Sequence, residues 1–291
     1  MTDWARVQDR LAKADFLASR ILLGLDFDGT LSEIVDSPEK AVLSSGTRRL
    51  LRALVQRPDI KVAVLSGRAL EDIKKRVGLS GVYYAGDHGL QIVGPGLRWT
   101  HPRVGALDAA LGRPLEKDLE KIPGAIVEYK RFGMAVHYRK VPERYLRRLA
   151  DRVRARCAGL RERFRVLRGK KTFDIRSLVP WDKGHALEAI RNQLAGGWMG
   201  VFIGDDRTDE EGFRTLGARA LTVRVGRVNV SAAQYIFSNR NQVDRLLESL
   251  AARPVSRPGS TFTARPIAGR RNRPPSSPVR AEPRRAPTPG S

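Results

Sequence analysis

Two aspartates, Asp26 and Asp28, close the apolar run Ile21 to Leu25 within the string Leu-Asp-Phe-Asp-Gly-Thr. Carboxylates at i and i+2 can be aimed the same way, and Gly29 lets the chain turn sharply just beyond them. Two adjacent carboxylates repel unless a cation neutralises them, and an all-oxygen donor set favours Mg²⁺. Similar chemistry recurs at other strand-like ends. Ser66 and Gly67 follow the apolar run Lys61 to Leu65, and Gly204-Asp205-Asp206 follows Met199 to Ile203. Lys183 opens a helical segment shortly before the second of these. A second acidic strand end would complete a cation site, a hydroxyl would hold a phosphate oxygen, and a lysine would neutralise nucleophile and phosphate together.

These residues need a scaffold that brings several strand ends together. Short apolar runs alternate with amphipathic segments: strand 21–26, helix 46–56, strand 61–65, helix 70–77 and strand 82–85. The alternation resumes with helix 183–194, strand 199–204, helix 210–216, strand 220–225 and a last helix at 242–250. Buried strands separated by helices predict an α/β fold with a doubly wound, mostly parallel sheet, whose ligands bind at the carboxyl ends of the strands. An opening helix is expected over residues 4–20, from Trp4, Val7, Leu11, Ala14 and Leu17. Between the two halves the texture changes to helix (Leu107, Leu111, Leu115, Leu119), hairpin (126–130 and 134–139), helix (Leu146, Leu149, Val153, Cys157) and strand 164–167. This reads as an inserted α+β cap. The expected division is a Rossmann-like core formed by residues 1–104 and 176–250, a cap over 105–175 inserted between them, and a disordered Arg/Pro-rich tail over 251–291. In the hairpin, period-2 alternation places Glu128 with Lys130 on one face, and His137 with Arg139 on one face of the partner strand.

The set resembles the haloacid dehalogenase superfamily of phosphatases and, in several longer strings, its trehalose-6-phosphate phosphatase family. The strings are residues 25–31, Val-Leu-Ser-Gly-Arg at 64–68, Ala-Gly-Asp-His-Gly-Leu at 85–90, Val-Glu-Tyr-Lys at 127–130, Val-His-Tyr-Arg at 136–139, Trp-Asp-Lys-Gly at 181–184, and Gly-Asp-Asp-Arg-Thr-Asp-Glu at 204–210. The likeness covers about residues 10 to 250. It implies a Mg²⁺-dependent hydrolysis of trehalose 6-phosphate in which Asp26 becomes phosphorylated and Asp28 serves as acid, then base. It implies a metal held by Asp26, the backbone carbonyl of Asp28 and Asp205, with Asp206, Asp209 and Thr30 in a supporting layer. Ser66 and Lys183 would hold the transferring phosphoryl group, while Arg68, Asp87, His88, Gly89, Glu128 and Lys130 would bind the sugar. It also implies a functional link to trehalose-6-phosphate synthase. The chain departs from the family pattern in carrying Asp87 for Asn, Gln91 for Glu and Asp174 for Glu. These changes bear on the sugar more than on the chemistry, so sucrose phosphate and mannosyl-phosphoglycerate stand as alternative substrates.

Composition limits the other classes. The 291 residues are 41% hydrophobic and contain no run of ~20 apolar residues, so no membrane partner is expected. One cysteine, Cys157, and no leader-like start give the cytoplasm as the expected compartment. The charge of +23 raises a nucleic-acid partner on a phosphatase scaffold. Nine arginines and a single acid over 251–291 place +8 of it in the tail, leaving +15 in the body. The tail lacks interleaved aromatics that would stack bases, so nucleic acid is not the expected partner beyond non-specific contact. The basic body suits an anionic substrate.

Overall fold

The computed structural model describes residues 3–13, 16, 20–104, 109–159, 162–169 and 171–255. The chain builds two sheets. It begins with α1 (Asp3–Leu11), β1 (Arg20–Asp26), α2 (Ser45–Val55), β2 (Ile60–Leu65), α3 (Leu70–Val77), β3 (Tyr83–Gly86), β4 (Gln91–Gly94) and β5 (Leu97–Thr100). The middle segment is α4 (Ala109–Leu119), β6 (Ile126–Lys130), β7 (Gly133–His137), α5 (Glu143–Ala158), β8 (Phe164–Gly169) and β9 (Thr172–Ser177). The last segment is α6 (Lys183–Gln193), β10 (Trp198–Gly204), α7 (Arg207–Leu216), β11 (Ala220–Val225), β12 (Tyr235–Phe237) and α8 (Asn241–Ala252).

The large sheet has the order β12-β11-β10-β1-β2-β3-β4-β5 and is parallel from β12 to β3. It is sewn from both ends of the chain because β1 lies between β2 and β10. The central strands are buried nearly throughout, as a sheet covered on both faces requires. One core cluster joins Leu23, Leu25, Val64, Ile203 and Val223 to α2, α3 and α8, and a second joins Leu22, Leu65 and Phe202 to α6 and α7. The antiparallel hairpin β4–β5 and the short β12 go beyond the sequence expectation. Four residues per hairpin strand, and three in β12, are too few to show a period.

The second sheet, β6-β7-β9-β8, is antiparallel throughout. Its two faces differ in kind. Met134, Val136, Phe173 and Ile175 pack with Leu115, Leu149 and Val153 of α4 and α5 into a separate apolar core. The opposite face carries Glu128, Lys130, His137 and Asp174, which border a cavity between the two sheets.

Three sequence expectations shift. The opening helix ends at Leu11, and Ala14 and Leu17, like Leu107, lie outside the described residues. Helix α7 begins at Arg207 rather than Glu210, because Asp206 caps it. The tail boundary at Ala251 also moves: α8 runs through Ala252, and buried Arg253 bonds Asp59 at 2.8 Å. Residues 256–291 lie outside the described set. Among the described residues no helix is long and apolar enough to cross a membrane.

Candidate active site

Register decides which residues meet. Asp26 pairs with Leu65 across β1–β2, Leu65 pairs with Ala85 across β2–β3, and Leu25 pairs with Ile203 across β1–β10. Ser66 and Gly86, one residue further on, and Asp205, two residues past Ile203, therefore lie near Asp26 at the carboxyl edge of the sheet. Lys183, the first residue of α6, reaches this edge and is 2% exposed. Its Nζ donates to Asp26 Oδ1 at 2.6 Å and to Asp209 Oδ1 at 2.8 Å.

Asp209 is fixed from behind. Its Oδ2 accepts the backbone N–H groups of Asp205 and Asp206 at 2.9 and 3.0 Å. Asp206 Oδ1 in turn accepts from the N–H groups of Thr208 and Asp209 at 2.7 and 3.0 Å, completing a capping box at the start of α7. The string Asp-Asp-Arg-Thr-Asp thus starts a helix and points one carboxylate oxygen at Lys183. Asp26, Asp205 and Asp209 are all buried and offer one oxygen each within 4.8 Å of one another.

Burial pushes the Asp26 carboxyl well above its ordinary range, with Lys183 pulling the other way. Burial does the same to Asp209, again against Lys183. One ammonium for three buried carboxylates leaves an excess of negative charge, and oxygen-only donors suit a hard divalent cation. Gly29 makes room for the cluster. A Cβ there would fall inside the Asp205 carboxylate, and its φ of +91° is one that side chains disfavour. Thr30 is fully buried, and its hydroxyl has no hydrogen-bond partner among the described residues.

Asp28 is held separately. Arg68 grips it with two hydrogen bonds of 2.7 Å, from Nε and from Nη2, and gives Nη1 to Asp72 at 3.0 Å. Sequence reasoning misses this bidentate pairing, since Asp28 and Arg68 lie on different strand ends and only the sheet register unites them. Ser66 Oγ accepts the Arg68 N–H at 3.1 Å.

A cavity of about 530 Å³ separates this edge from the polar face of the second sheet. Asp26, Asp28, Arg68, His88, Lys183, Asp205 and Asp206 border it from the large sheet, and Glu128, Lys130, His137 and Asp174 from the small one. Ser66, Asp87 and Gly89 are not among its walls. Their backbone instead shapes the wall, as Ser66 O accepts the His88 N–H at 2.9 Å and Arg68 O accepts the Asp87 N–H at 2.8 Å. Asp87 and His88 adopt φ of +50° and +58°, values rare outside glycine and found where surroundings over-determine the backbone. Trp181 supplies some of that support by donating Nε1 to Gly89 O at 2.9 Å. Its ring also packs on His101 and His185, which serve here as structural partners.

The small sheet contributes two linked pairs. His137 Nε2 meets Glu128 Oε2 at 2.8 Å. Lys130 Nζ donates to Asp174 Oδ1 at 3.1 Å, and His88 Nε2 meets Asp174 Oδ2 at 2.9 Å. The last contact ties core to cap. Burial lowers the His88 pKa to about 4, and Nδ1 is buried without a partner among the described residues, both of which fit a neutral ring donating from Nε2. In the sequence Asp174 stands out only as a departure from the family pattern. A rung of the sheet, Glu128 opposite Ala135 opposite Asp174, carries the stronger signal: a small residue between two acids on one face.

Asp87 gives a test of the loop. Burial raises its carboxyl to about 7, and Oδ2 has no partner among the described residues. An acid with a raised folded pKa stabilises most below its unfolded value and loses that contribution as pH rises towards 7. Asp87→Asn keeps the shape without the charge. It is expected to match the parent in stability near pH 4 and to exceed it by on the order of 2–4 kcal/mol at pH 8. Chemical denaturation at both pH values checks this, and equal stabilities at pH 8 would show that the buried charge is compensated.

Residues 24–245 match the trehalose-phosphatase family model. The trehalose-phosphate phosphatase of Mycobacterium avium is 42% identical over 210 residues, covering 69% of this chain and 52% of that protein. The enzyme of the same name from Mycobacterium tuberculosis is 35% identical over 264 residues, covering 84% and 66%. The chain spans about half the length of the curated relatives it matches first. In fold it is similar to the C-terminal domain of Candida albicans trehalose-6-phosphate phosphatase, with TM-score 0.70, 22% identity, and coverage of 81% and 94%. With the match running from β1 into the final helix, and the strand-end constellation in place, this chain belongs to the trehalose-phosphatase family.

Proposed function

We propose that the chain hydrolyses trehalose 6-phosphate to trehalose and inorganic phosphate, with Asp26 as the nucleophile. The observation that carries this reading is the Lys183–Asp26 contact of 2.6 Å at the floor of a cavity roofed by hydrogen-bonding side chains. An Asp26 oxygen attacks phosphorus as the bond to the sugar oxygen breaks, and Asp28 gives that oxygen a proton. Asp28 then takes a proton from the water that cleaves the phosphoaspartyl bond, which restores both carboxyls. Lys183 neutralises charge on Asp26 and on the phosphoryl oxygens. Ser66, named from the sequence as a phosphoryl-binding hydroxyl, stands behind the wall, where its Oγ accepts the Arg68 N–H and supports the loop that carries Gly67 and Arg68 into the cavity. Asp26, Asp205 and the Asp28 carbonyl suit Mg²⁺, with Asp206 and Asp209 orienting them. Such a cation would supply further charge neutralisation at the transferring phosphoryl group.

Glu128, Lys130, Asp174 and His88 are the sugar-binding candidates, since all four border the cavity and are held there by hydrogen bonds, Lys130 and His88 to Asp174 and Glu128 to His137. Asp87 and Gly89 act through the loop they shape, and Arg68 orients Asp28. A cytoplasmic setting and a functional link to trehalose-6-phosphate synthase belong to the same reading. Phosphate release is to be measured from trehalose 6-phosphate, sucrose 6-phosphate and mannosyl-phosphoglycerate, each with Mg²⁺ and with chelator. The expected result is a preference for trehalose 6-phosphate of at least about 100-fold in kcat/KM, because a site lined with hydroxyl-binding groups penalises mismatched sugars. Chelator should abolish turnover and added Mg²⁺ should restore it. Equal rates across the panel would reject the substrate, and full activity in chelator would reject the metal.

A further inference from the structure

Charges around the cavity are not evenly matched. At depth each cation has an acid: Lys183 has Asp26 and Asp209, Arg68 has Asp28 and Asp72, Lys130 has Asp174. At one end of the cap sheet the pattern stops. Arg139 and Lys140 follow β7, while Arg168 and Lys171 flank the β8–β9 turn, and all four border the cavity and are exposed. Among the described residues none of them has an ion-pair partner; Arg168 lies over the Phe173 ring, 5.5 Å from its centre.

The backbone holds this group together. Tyr138 N–H donates to Lys171 O at 2.9 Å, which locks the segment after β7 beside the β8–β9 turn. Lys171 has φ of +59°, a strained value for a side-chain-bearing residue, of the kind that clusters where position matters. Four uncompensated cations at the rim of a concave, low-dielectric site focus potential on its entrance.

We propose that Arg139, Lys140, Arg168 and Lys171 form an anion-capturing vestibule that binds the phosphate dianion of the incoming ester before it reaches Asp26. The proposal rests on the phosphatase reading above and adds to it where the substrate is first held. The vestibule acts on capture and leaves the chemical step to the floor of the cavity. It therefore raises kcat/KM through KM, and the effect fades as salt screens it.

The test compares two full-length variants with the same loss of four positive charges. One is Arg139→Gln, Lys140→Gln, Arg168→Gln and Lys171→Asn. The other is Arg144→Gln, Arg147→Gln, Arg148→Gln and Arg152→Gln, on a separate groove along α5. KM and kcat for trehalose 6-phosphate are measured from about 0.01 M to about 0.15 M salt, over which the screening length falls from about 30 Å to about 8 Å. The parent and the α5 variant should show KM rising about tenfold with salt. The rim variant should start with KM already about tenfold higher, vary little with salt, and keep kcat within about twofold. A rim variant that retains the parental salt response overturns the proposal. So does an α5 variant that loses the response equally, because net charge alone would then explain it. If trehalose 6-phosphate is not hydrolysed, the substrate assignment fails, and the same series with p-nitrophenyl phosphate decides the vestibule independently. Thermal melts of both variants confirm folding.

Discussion

Asp26→Asn should lower turnover by about 10⁵-fold or more without harming the fold. The amide cannot form the phosphoaspartyl bond, and no other carboxylate takes its place, since Asp28 is held by Arg68 and Asp209 is spent on two backbone N–H groups and Lys183. The effect on stability should have the opposite sign. Burial already disfavours the charged form of Asp26, and Asp205, Asp206 and Asp28 add repulsion. A neutral isostere removes one charge from the cluster, so in chelator the variant should melt at or above the parent's temperature. In Mg²⁺ it should gain less than the parent, because one ligand is lost and a bound ion stabilises only by its affinity for the folded state. Single-turnover assays with calorimetry read both effects. Activity within tenfold of the parent would refute Asp26 as nucleophile, and a large loss of melting temperature would show that the cluster is structural.

Much of this site is legible in the sequence because parallel sheets write their chemistry at strand ends. The apolar runs ending in Asp26, Leu65 and Gly204 mark three edge positions, and the α/β alternation requires those edges to be neighbours. Hairpin parity correctly puts Glu128 and Lys130 on one face. What stays hidden depends on contacts between distant segments. Arg68 gripping Asp28 spans 40 residues, and His88 meeting Asp174 spans 86. No local period reports such pairs. The place of Ser66, Asp87 and Gly89 behind the cavity wall is equally invisible, because a loop's residue types do not say which of its atoms turn inward.

The division of labour between sheets follows from the same physics. A parallel sheet buried on both faces can present polar groups only at its edge, so the acids and the lysine converge there. An antiparallel sheet with one helix-covered face can spend its other face on hydrogen bonds, as β6, β7 and β9 do. The His88–Asp174 contact of 2.9 Å lets the two surfaces register against each other. In the proposed reaction substrate polarity is split accordingly: phosphate meets the edge, sugar meets the face.

Lys183→Met offers the sharpest separation of stability from catalysis. Lys183 is 2% exposed and bridges Asp26 and Asp209 at 2.6 and 2.8 Å, so the variant leaves a buried acidic cluster without its ammonium. Removing one partner of a buried ion pair costs about 3–5 kcal/mol, because the remaining charge keeps its desolvation penalty. In chelator the variant should lose stability on that scale. Mg²⁺ should return much of it, since a divalent cation neutralises the same carboxylates. Turnover should not return with it. Phosphoryl oxygens would still lack the ammonium, and loss of one such preorganised donor costs at least about 10²–10³-fold in kcat. Lys183→Arg should not rescue, as a planar guanidinium is broader than the ammonium that this closed site accommodates. Urea titrations with and without Mg²⁺, paired with kcat, give the four quantities needed. If Mg²⁺ restored stability and rate together, Lys183 would be only a counter-ion for the cluster and would have no role in holding the phosphoryl group.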